Sequence, residues 1–209
     1  MKYKWLNRNK NNNKIILFFN GWGMDENVVK HLENENYDVL MFYDYISLET
    51  DFNFELLNIY TEKNIVAWSM GVMIATLIRP LGTFSNQGKS ICINGTLRPI
   101  DSEFGIHPKI YDLTIKGFNE KGRDRFISSM FEEKNNIICS RDIENQHLEL
   151  VALKNYYSNE NFKYNKILIS DNDKIIPTKS QVTYWGIKPN LRGGHCPFMN
   201  FTKWSELLW

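Results

Sequence analysis

The sequence predicts an α/β fold with a mostly parallel central sheet that is flanked by helices. The first observation is a set of short apolar runs. A strand that is buried on both faces lacks the alternation of apolar and polar residues that a half-exposed strand shows. Five such runs occur, at residues 15–19, 37–42, 64–68, 90–94 and 166–170. The second observation is that polar or glycine-containing loops follow the runs and that helical patterns come between them. This succession is typical of parallel strands joined by helices.

Shorter signals predict the remaining elements. Asp25 is expected to cap a helix, and the stretch that begins at Val72 is apolar enough for a buried helix. In chain order these elements are an edge strand at 3–6, a helix at 26–32, a short helix near 54–60, a helix at 72–78, a last strand at 182–185 and a helix at 201–208.

Length and composition indicate one globular domain over residues 1–209. Apolar residues make up 43% of the chain and charged residues 23%, as in ordinary globular domains. The formal net charge of +1 gives no reason to expect a nucleic-acid or membrane partner. No run approaches the roughly 18 apolar residues of a membrane span, and residues 1–8 lack the apolar centre of a signal peptide.

The cysteines are sparse and odd in number. Cys92, Cys139 and Cys196 show no metal-type spacing, which argues against both a disulfide framework and a thiolate metal site. This pattern fits a reducing compartment, and we expect a cytoplasmic protein.

The stretch from about residue 98 to 163, called the insertion below, differs from the rest of the chain. Strand-like runs stop there, and apolar residues recur at spacings near three and four. Such spacing predicts several short amphipathic helices. Because the insertion separates two core strands, it is expected to form a small helical lid over a site.

Four cations cluster in the insertion, with Glu120 and Asp124 between them: Lys116, Lys121, Arg123 and Arg125. The simple interpretation is a solvated helix face of mixed charge, and the alternative is a docking surface for an acidic partner. His107 and His147 also lie there. Neither has a neighbouring signature, so both are expected to be surface or hydrogen-bonded histidines.

A serine stands where the third buried strand is predicted to turn into a helix. Ser69 has Ala67 two residues before it and Gly71 two residues after it. Small flanking residues permit the sharp strand-to-helix turn of a nucleophile elbow, although the usual pattern has glycine at the first position. The alternative is an ordinary small-residue turn with an unremarkable serine.

A glycine pair follows the first buried strand. Residues 19–25 read FNGWGMD, so Gly21 and Gly23 lie where the backbone can approach a ligand closely. In hydrolases of this layout the loop supplies an oxyanion N–H group. The common form is His-Gly-x-Gly, and Asn20 stands in place of the histidine. Asparagine can still hold the loop through its amide, and the alternative is a plain turn.

An acid and a histidine follow late elements of the chain. Asp171 and Asp173 come directly after the strand at 166–170, and the spacing to Pro177 favours Asp173 as the partner of an imidazole. His195 follows two glycines in the loop before the last helix, where a general base is expected. A Cys196 nucleophile paired with His195 is the weaker alternative, since adjacent side chains rarely face each other.

The chain order Ser69, Asp173, His195 is that of the α/β-hydrolases rather than that of either protease class. Three segments, FNGWGMD at 19–25, AWSMGV at 67–72 and GGHCPF at 193–198, resemble those of the BioG family. The resemblance implies an α/β-hydrolase that hydrolyses pimeloyl-[acyl-carrier-protein] methyl ester in biotin biosynthesis. It also implies a Ser69–His195–Asp173 triad.

In the implied mechanism the backbone N–H groups of Trp22 and Met70 hold the oxyanion. No metal and no organic cofactor is required. An acyl carrier protein is the implied partner, and the four insertion cations are its candidate contacts. Two further classes stay open. One is another enzyme on the same fold, such as a short-chain esterase, an acyl-carrier thioesterase or a lyase of menaquinone synthesis. The other is a non-catalytic binding protein.

Overall fold

A computed structural model describes residues 1–78, 88–131, 139–158 and 162–208. Within these residues the strands form one six-stranded sheet in the order β1-β3-β2-β4-β5-β6. Their bounds are β1 Lys2–Asn7, β2 Lys14–Phe19, β3 Tyr37–Tyr43, β4 Glu62–Trp68, β5 Ser90–Ile93 and β6 Lys166–Leu168. Strand β1 pairs antiparallel with β3, and every other pairing is parallel. The predicted α/β fold with a mostly parallel sheet is confirmed.

Helices and helical turns flank this sheet. The α-helices of the described residues are α1 Met70–Leu77, α2 Pro108–Gly117, α3 Glu120–Ser129, α4 Ile143–Leu153, α5 Thr178–Trp185 and α6 Trp204–Leu208. Short 3-10 helices occur at Glu26–Val28, Phe54–Ile59 and Phe198–Asn200. No helix in the described part of the chain is long and apolar enough to cross a membrane.

Two predicted elements differ from the structure in type, and the helix predicted at 201–208 begins only at Trp204. The predicted last strand at 182–185 is wrong, because those residues are the second half of α5. Its aromatic and β-branched side chains favour a strand, but the segment ends at Gly186 in the left-handed conformation (φ 69°), whose N–H bonds to the Val182 carbonyl. The predicted helix at 26–32 is a single 3-10 turn, although Asp25 caps it as expected.

Alternate residues of the central strands face the two sides of the sheet. Along β2, Ile15, Leu17 and Phe19 pack into one core cluster, and Ile16 and Phe18 pack into the other. Burial on both sides explains why the run is continuously apolar. Because β2, β4, β5 and β6 run parallel, their carboxyl ends meet at one edge of the sheet, and the loops at this edge carry the candidate site.

Helices α2, α3 and α4 lie in the insertion between β5 and β6, as the apolar spacing predicted. Their N-termini are capped by side chains of the preceding residues His107, Asn119 and Asp142. The Tyr111 hydroxyl on α2 donates to the Leu150 carbonyl on α4 at 2.8 Å. The predicted range of the insertion includes 132–138 and 159–161, which lie outside the described residues.

Candidate active site

Ser69 occupies the turn between β4 and α1 in a backbone conformation that serine rarely adopts. Its φ and ψ are 58° and −126°. Such strain is sustained only where the surrounding structure holds it, and here the Ser69 N–H donates to the Ile93 carbonyl on β5 at 3.0 Å. The turn places the serine at the carboxyl edge of the sheet, directly before the N-terminus of α1.

Three predicted side chains are joined by hydrogen bonds at this edge. Nε2 of His195 lies 2.8 Å from Oγ of Ser69, and Nδ1 of His195 lies 2.7 Å from Oδ2 of Asp173. The imidazole is fully buried, and the serine and the aspartate are buried as well. With a proton on Nδ1, the ring donates to the carboxylate and leaves Nε2 to accept from the serine hydroxyl. The arrangement is therefore able to take a proton from Ser69.

Asp173 accepts four hydrogen bonds, which fix the position of its carboxylate. Its Oδ1 accepts the backbone N–H groups of Ile175 and Ile176 at 2.8 and 3.1 Å. Its Oδ2 accepts Nε2 of Gln181 at 2.8 Å in addition to the imidazole. Asp171 is exposed, and its carboxylate accepts the Gly193 N–H at 2.9 Å. The structure thus joins Asp173, and not Asp171, to His195.

The loop that carries His195 is fixed through its backbone. The His195 carbonyl accepts Nε1 of Trp68 at 2.8 Å and Nδ2 of Asn94 at 2.9 Å. Gly193 has a φ of 109°, a conformation that favours glycine. The sequence alone does not identify Asn94 and Gln181. Asn94 directly follows β5 and Gln181 lies within α5, and neither position indicates from the sequence which group the side chain contacts.

The thiol of Cys196 is poorly suited to the alternative role of nucleophile. Burial raises its pKa to about 12, so it stays protonated. The Nε2 atom of His195, which would have to serve as its base, is directed at Ser69. Cys196 packs in the core cluster that contains Phe18 and Phe198.

Asn20 holds the glycine loop through its amide, as expected from the sequence. Its Oδ1 accepts the Gly21 N–H at 2.9 Å, and its Nδ2 donates to the Asp25 carbonyl at 3.0 Å. The backbone N–H groups of Trp22 and Met70 have no acceptor among the described residues. Both residues line the same cavity as Ser69. Two residues whose backbone N–H groups have no acceptor among the described residues therefore border the cavity that contains Ser69.

That cavity has a volume of about 130 Å³. Its apolar lining comes largely from the insertion: Ile106, Ile110, Tyr111, Phe126 and Leu150. Lys174 and Ile175 contribute from the loop that carries Asp173. A larger cavity of about 280 Å³, bordered by Met73 and Lys154, contains none of the three hydrogen-bonded side chains. The chemistry therefore assigns the site to the smaller cavity.

The predicted cations lie on the insertion but outside this cavity. Lys116 is in the last turn of α2, and Lys121, Arg123 and Arg125 are on α3. His107 caps α2 through Nδ1, and Nε2 of His147 lies 3.1 Å from the Ile115 carbonyl, so both histidines are hydrogen-bonded. No group of three His, Cys, Asp or Glu side chains in the described ranges is arranged to hold a metal ion.

The sheet, the strained serine turn and the order of the three side chains define an α/β-hydrolase. The model of one family in this class, described as "Pimeloyl-ACP methyl esterase BioG", matches residues 1–207, and the chain therefore belongs to the BioG family. A crystal structure of BioG from Haemophilus influenzae is 30% identical, has a TM-score of 0.88 and covers 100% of both chains.

One further relative and one structural neighbour delimit what the comparison shows. A malonyl-[acyl-carrier protein] O-methyltransferase from Bacteroides fragilis is 38% identical over 181 residues. The match covers 82% of this chain but 36% of that protein, so the chain spans about a third of its length. The structure of an esterase from Exiguobacterium antarcticum is 13% identical and has a TM-score of 0.63. The match covers 95% of this chain and 89% of the esterase chain. This last likeness shows the fold alone.

Proposed function

We propose that the chain is a serine carboxylesterase that hydrolyses pimeloyl-[acyl-carrier-protein] methyl ester to pimeloyl-[acyl-carrier-protein] and methanol in biotin biosynthesis. The observation that carries the serine mechanism is the continuous hydrogen-bonded path from Ser69 through His195 to Asp173. The path ends at a cavity that Trp22 and Met70 also line, and their N–H groups have no acceptor within the described part of the chain. Membership of the BioG family supports the substrate.

The reaction follows from these atoms. Oγ of Ser69 attacks the ester carbonyl carbon while Nε2 of His195 takes the hydroxyl proton, and Asp173 stabilises the imidazolium that results. The N–H groups of Trp22 and Met70 hold the oxyanion, and such a donor is typically worth a factor of ~10²–10³ in rate. The proton on His195 passes to the departing methoxide, which leaves as methanol. Water, activated by the same imidazole, then cleaves the acyl-serine and restores the hydroxyl.

The surroundings of the cavity support an acyl chain attached to a carrier. Apolar side chains from three insertion helices line it, which suits a chain of methylene groups and lets the insertion act as a lid. The four exposed or half-exposed cations of α2 and α3 suit an acidic carrier protein. The Bacteroides fragilis relative is named as a methyltransferase for an acyl-carrier-bound carboxyl, and methyl transfer to such a group makes the class of bond that this enzyme would cleave.

Mass spectrometry of pimeloyl-carrier-protein methyl ester tests the proposal. The substrate is incubated with the wild type and with Ser69→Ala. Loss of one methyl group in the wild-type reaction only, with the thioester intact, is the expected result. Loss of the whole acyl chain would make the protein a thioesterase. If neither protein changes the carrier ester while the wild type cleaves small esters, the triad stands and the carrier substrate is wrong.

Covalent labelling separates an enzyme from a binding protein that keeps the fold. A fluorophosphonate reacts with a serine that a neighbouring base activates. We expect it to label the wild type at Ser69 and to leave Ser69→Ala unlabelled. An unlabelled wild-type protein would contradict the serine mechanism itself.

A further inference from the structure

A buried carboxylate connects the insertion to the glycine loop beside Ser69. Glu149, on α4, is fully buried. Its Oε2 accepts the Gly23 N–H at 3.0 Å, and its Oε1 accepts the Tyr45 N–H at 2.8 Å. Nη1 of Arg141 lies 2.6 Å from Oε2 and completes an ion pair. Both N–H groups belong to loops that follow central strands, so one side chain of the insertion holds the backbone at two points of the catalytic edge.

A buried ion pair is energetically unfavourable if its only role is to pack the interior. The side chain of Arg141 is 7% exposed, and removing two charges from water costs several kcal/mol each before their attraction repays it. Apolar residues of the same size often stabilise a core as well or better. A carboxylate can do what an apolar side chain cannot, which is to accept backbone N–H groups. The contacts of Glu149 therefore point to positioning rather than to packing.

The same helix holds Gly23 from its other side. The Gly23 carbonyl accepts Nε2 of Gln146 at 2.7 Å and the Cys139 thiol at 2.9 Å. The indole Nε1 of Trp22 donates to the Gln146 backbone carbonyl at 2.9 Å. Oε1 of Gln146 is buried and has no partner among the described residues, a cost that the contacts of its Nε2 must offset.

These contacts fix the peptide groups on both sides of Trp22. The Trp22 N–H shares a peptide plane with the Gly21 carbonyl, which accepts the Met24 N–H at 3.3 Å. The next peptide plane carries the Gly23 N–H, which Glu149 holds. The Trp22 N–H lies in the first of these two restrained planes, so it has little freedom to rotate.

We infer that α4 positions the oxyanion donor, with Glu149 and Gln146 as positioning residues that hold Gly23 and so direct the Trp22 N–H toward the substrate carbonyl. This inference rests on the proposed function. It makes the insertion part of the catalytic geometry as well as a cover, because a displacement of α4 would also displace the donor. Misplacement of a catalytic group by about 1 Å can cost ~10²-fold in rate.

Two substitutions at one position separate positioning from packing. Glu149→Met keeps the length of the side chain and removes both acceptors. Glu149→Gln keeps one acceptor oxygen, which can still serve Gly23 and Arg141. Glu144→Met is the matched control, since Glu144 is exposed on the same helix. Hydrolysis of a short p-nitrophenyl ester, which needs no carrier protein, is measured below the unfolding temperature of each variant.

We expect Glu149→Met to lower kcat by about 10-fold to 100-fold with a smaller change in KM, because the donor acts mainly in the transition state. Glu149→Gln should retain more activity, and Glu144→Met should match the wild type. A second readout is the hemiketal that Ser69 forms with a ¹³C-labelled trifluoromethyl ketone. The pKa of its oxyanion, followed by NMR, should be higher in Glu149→Met than in the wild type, because a misplaced donor stabilises the anion less.

Wild-type values of kcat and of the hemiketal pKa in folded Glu149→Met would overturn the inference. If that variant does not fold, Gln146→Met decides by the same two readouts, because it removes one contact to Gly23 and leaves the ion pair in place. If the wild type itself neither cleaves the ester nor forms the hemiketal, the proposed function has failed. If the wild type does both and the variants match it, only the positioning role has failed.

Discussion

A Cβ atom on Gly71 would lie 2.3 Å from the carbonyl oxygen of Phe19. This distance shows how closely the first turn of α1 approaches the end of β2. Since β2 and β4 are paired with Phe19 opposite Ala67, the serine turn and the glycine loop leave the sheet side by side. Contact between the two loops brings Ser69 and Trp22 to the lining of one cavity.

Gly71→Ala should therefore disturb both stability and activity. The added methyl group forces the helix from the strand, and overpacking of this kind typically costs about 1–3 kcal/mol. Displacement of the glycine loop should also lower kcat. Urea unfolding and p-nitrophenyl ester hydrolysis measure the two effects. Gly117→Ala is the matched control, since a Cβ there has no neighbour within 4 Å, and its stability should equal or exceed that of the wild type. Equal effects in the two variants would contradict this prediction.

The two neighbouring aspartates should differ in their effect on catalysis. Asp173→Asn replaces the acceptor of the His195 Nδ1 proton with an amide, which favours the wrong tautomer and removes the charge that stabilises the imidazolium. In serine proteases the equivalent substitution lowers kcat by about 10⁴-fold, and we expect a fall of similar size here. Asp171→Asn keeps an oxygen for the Gly193 N–H and should cost less than about 10-fold. Steady-state kinetics on a small ester compare them, and a larger loss in Asp171→Asn would mean that the roles are reversed.

Local patterns predict most of the architecture but few of its supporting contacts. The strand at 15–19 and the helix after Ser69 are predictable because burial on both faces leaves an uninterrupted apolar run. The residues 182–185 mislead, since Val, Thr, Tyr and Trp favour strands, whereas Gly186 and the packing of the segment select a helix.

The sequence likewise predicts some residues of the candidate site and not others. Ser69, Asp173 and His195 stand out because each follows a predicted element in a known order. Gln181 and Glu149 could not be singled out, because no local pattern shows which group each side chain contacts. Gln181 donates to the Asp173 carboxylate, and Glu149 accepts a backbone N–H. Glu149 meets Gly23 across 126 positions of the chain. A contact between residues so far apart in the chain leaves no periodic pattern in the sequence.

The buried ion pair should give the stability of the protein a measurable pH dependence. Burial raises the pKa of Glu149 above its ordinary value of 4.5, against the opposing effects of Arg141 and of the Tyr45 and Gly23 N–H groups. Above pH 4.5 the unfolded chain releases this proton before the folded protein does. The contribution of Glu149 to the free energy of unfolding is therefore complete below pH 4.5 and is lost as the pH rises through the folded-state pKa.

Denaturant unfolding of the wild type and of Glu149→Gln over a series of pH values isolates this group, because the other titrations cancel in the difference. The wild-type free energy of unfolding, relative to that of the variant, should fall as the pH rises above 4.5. Glu144→Gln, the same substitution at an exposed position of the same helix, is measured alongside as the control. A difference that rises with pH would mean that Arg141 outweighs burial and lowers the pKa.

The exposed cations of α3 should matter for a carrier-bound substrate and not for a small one. Lys121 and Arg125 lie one turn apart, and both are exposed. In the double variant Lys121→Glu/Arg125→Glu, kcat/KM for the pimeloyl-carrier ester should fall by about 10-fold or more at low salt, because attraction of an acidic carrier becomes repulsion. The deficit should shrink as salt screens the charges.

Hydrolysis of a p-nitrophenyl ester by the double variant should stay at the wild-type rate. Lys30 is an exposed lysine outside the insertion, and Lys30→Glu should leave both reactions unchanged. Equal losses on the two substrates would show that the double variant damages the site itself, and no loss on either would place the carrier elsewhere on the surface.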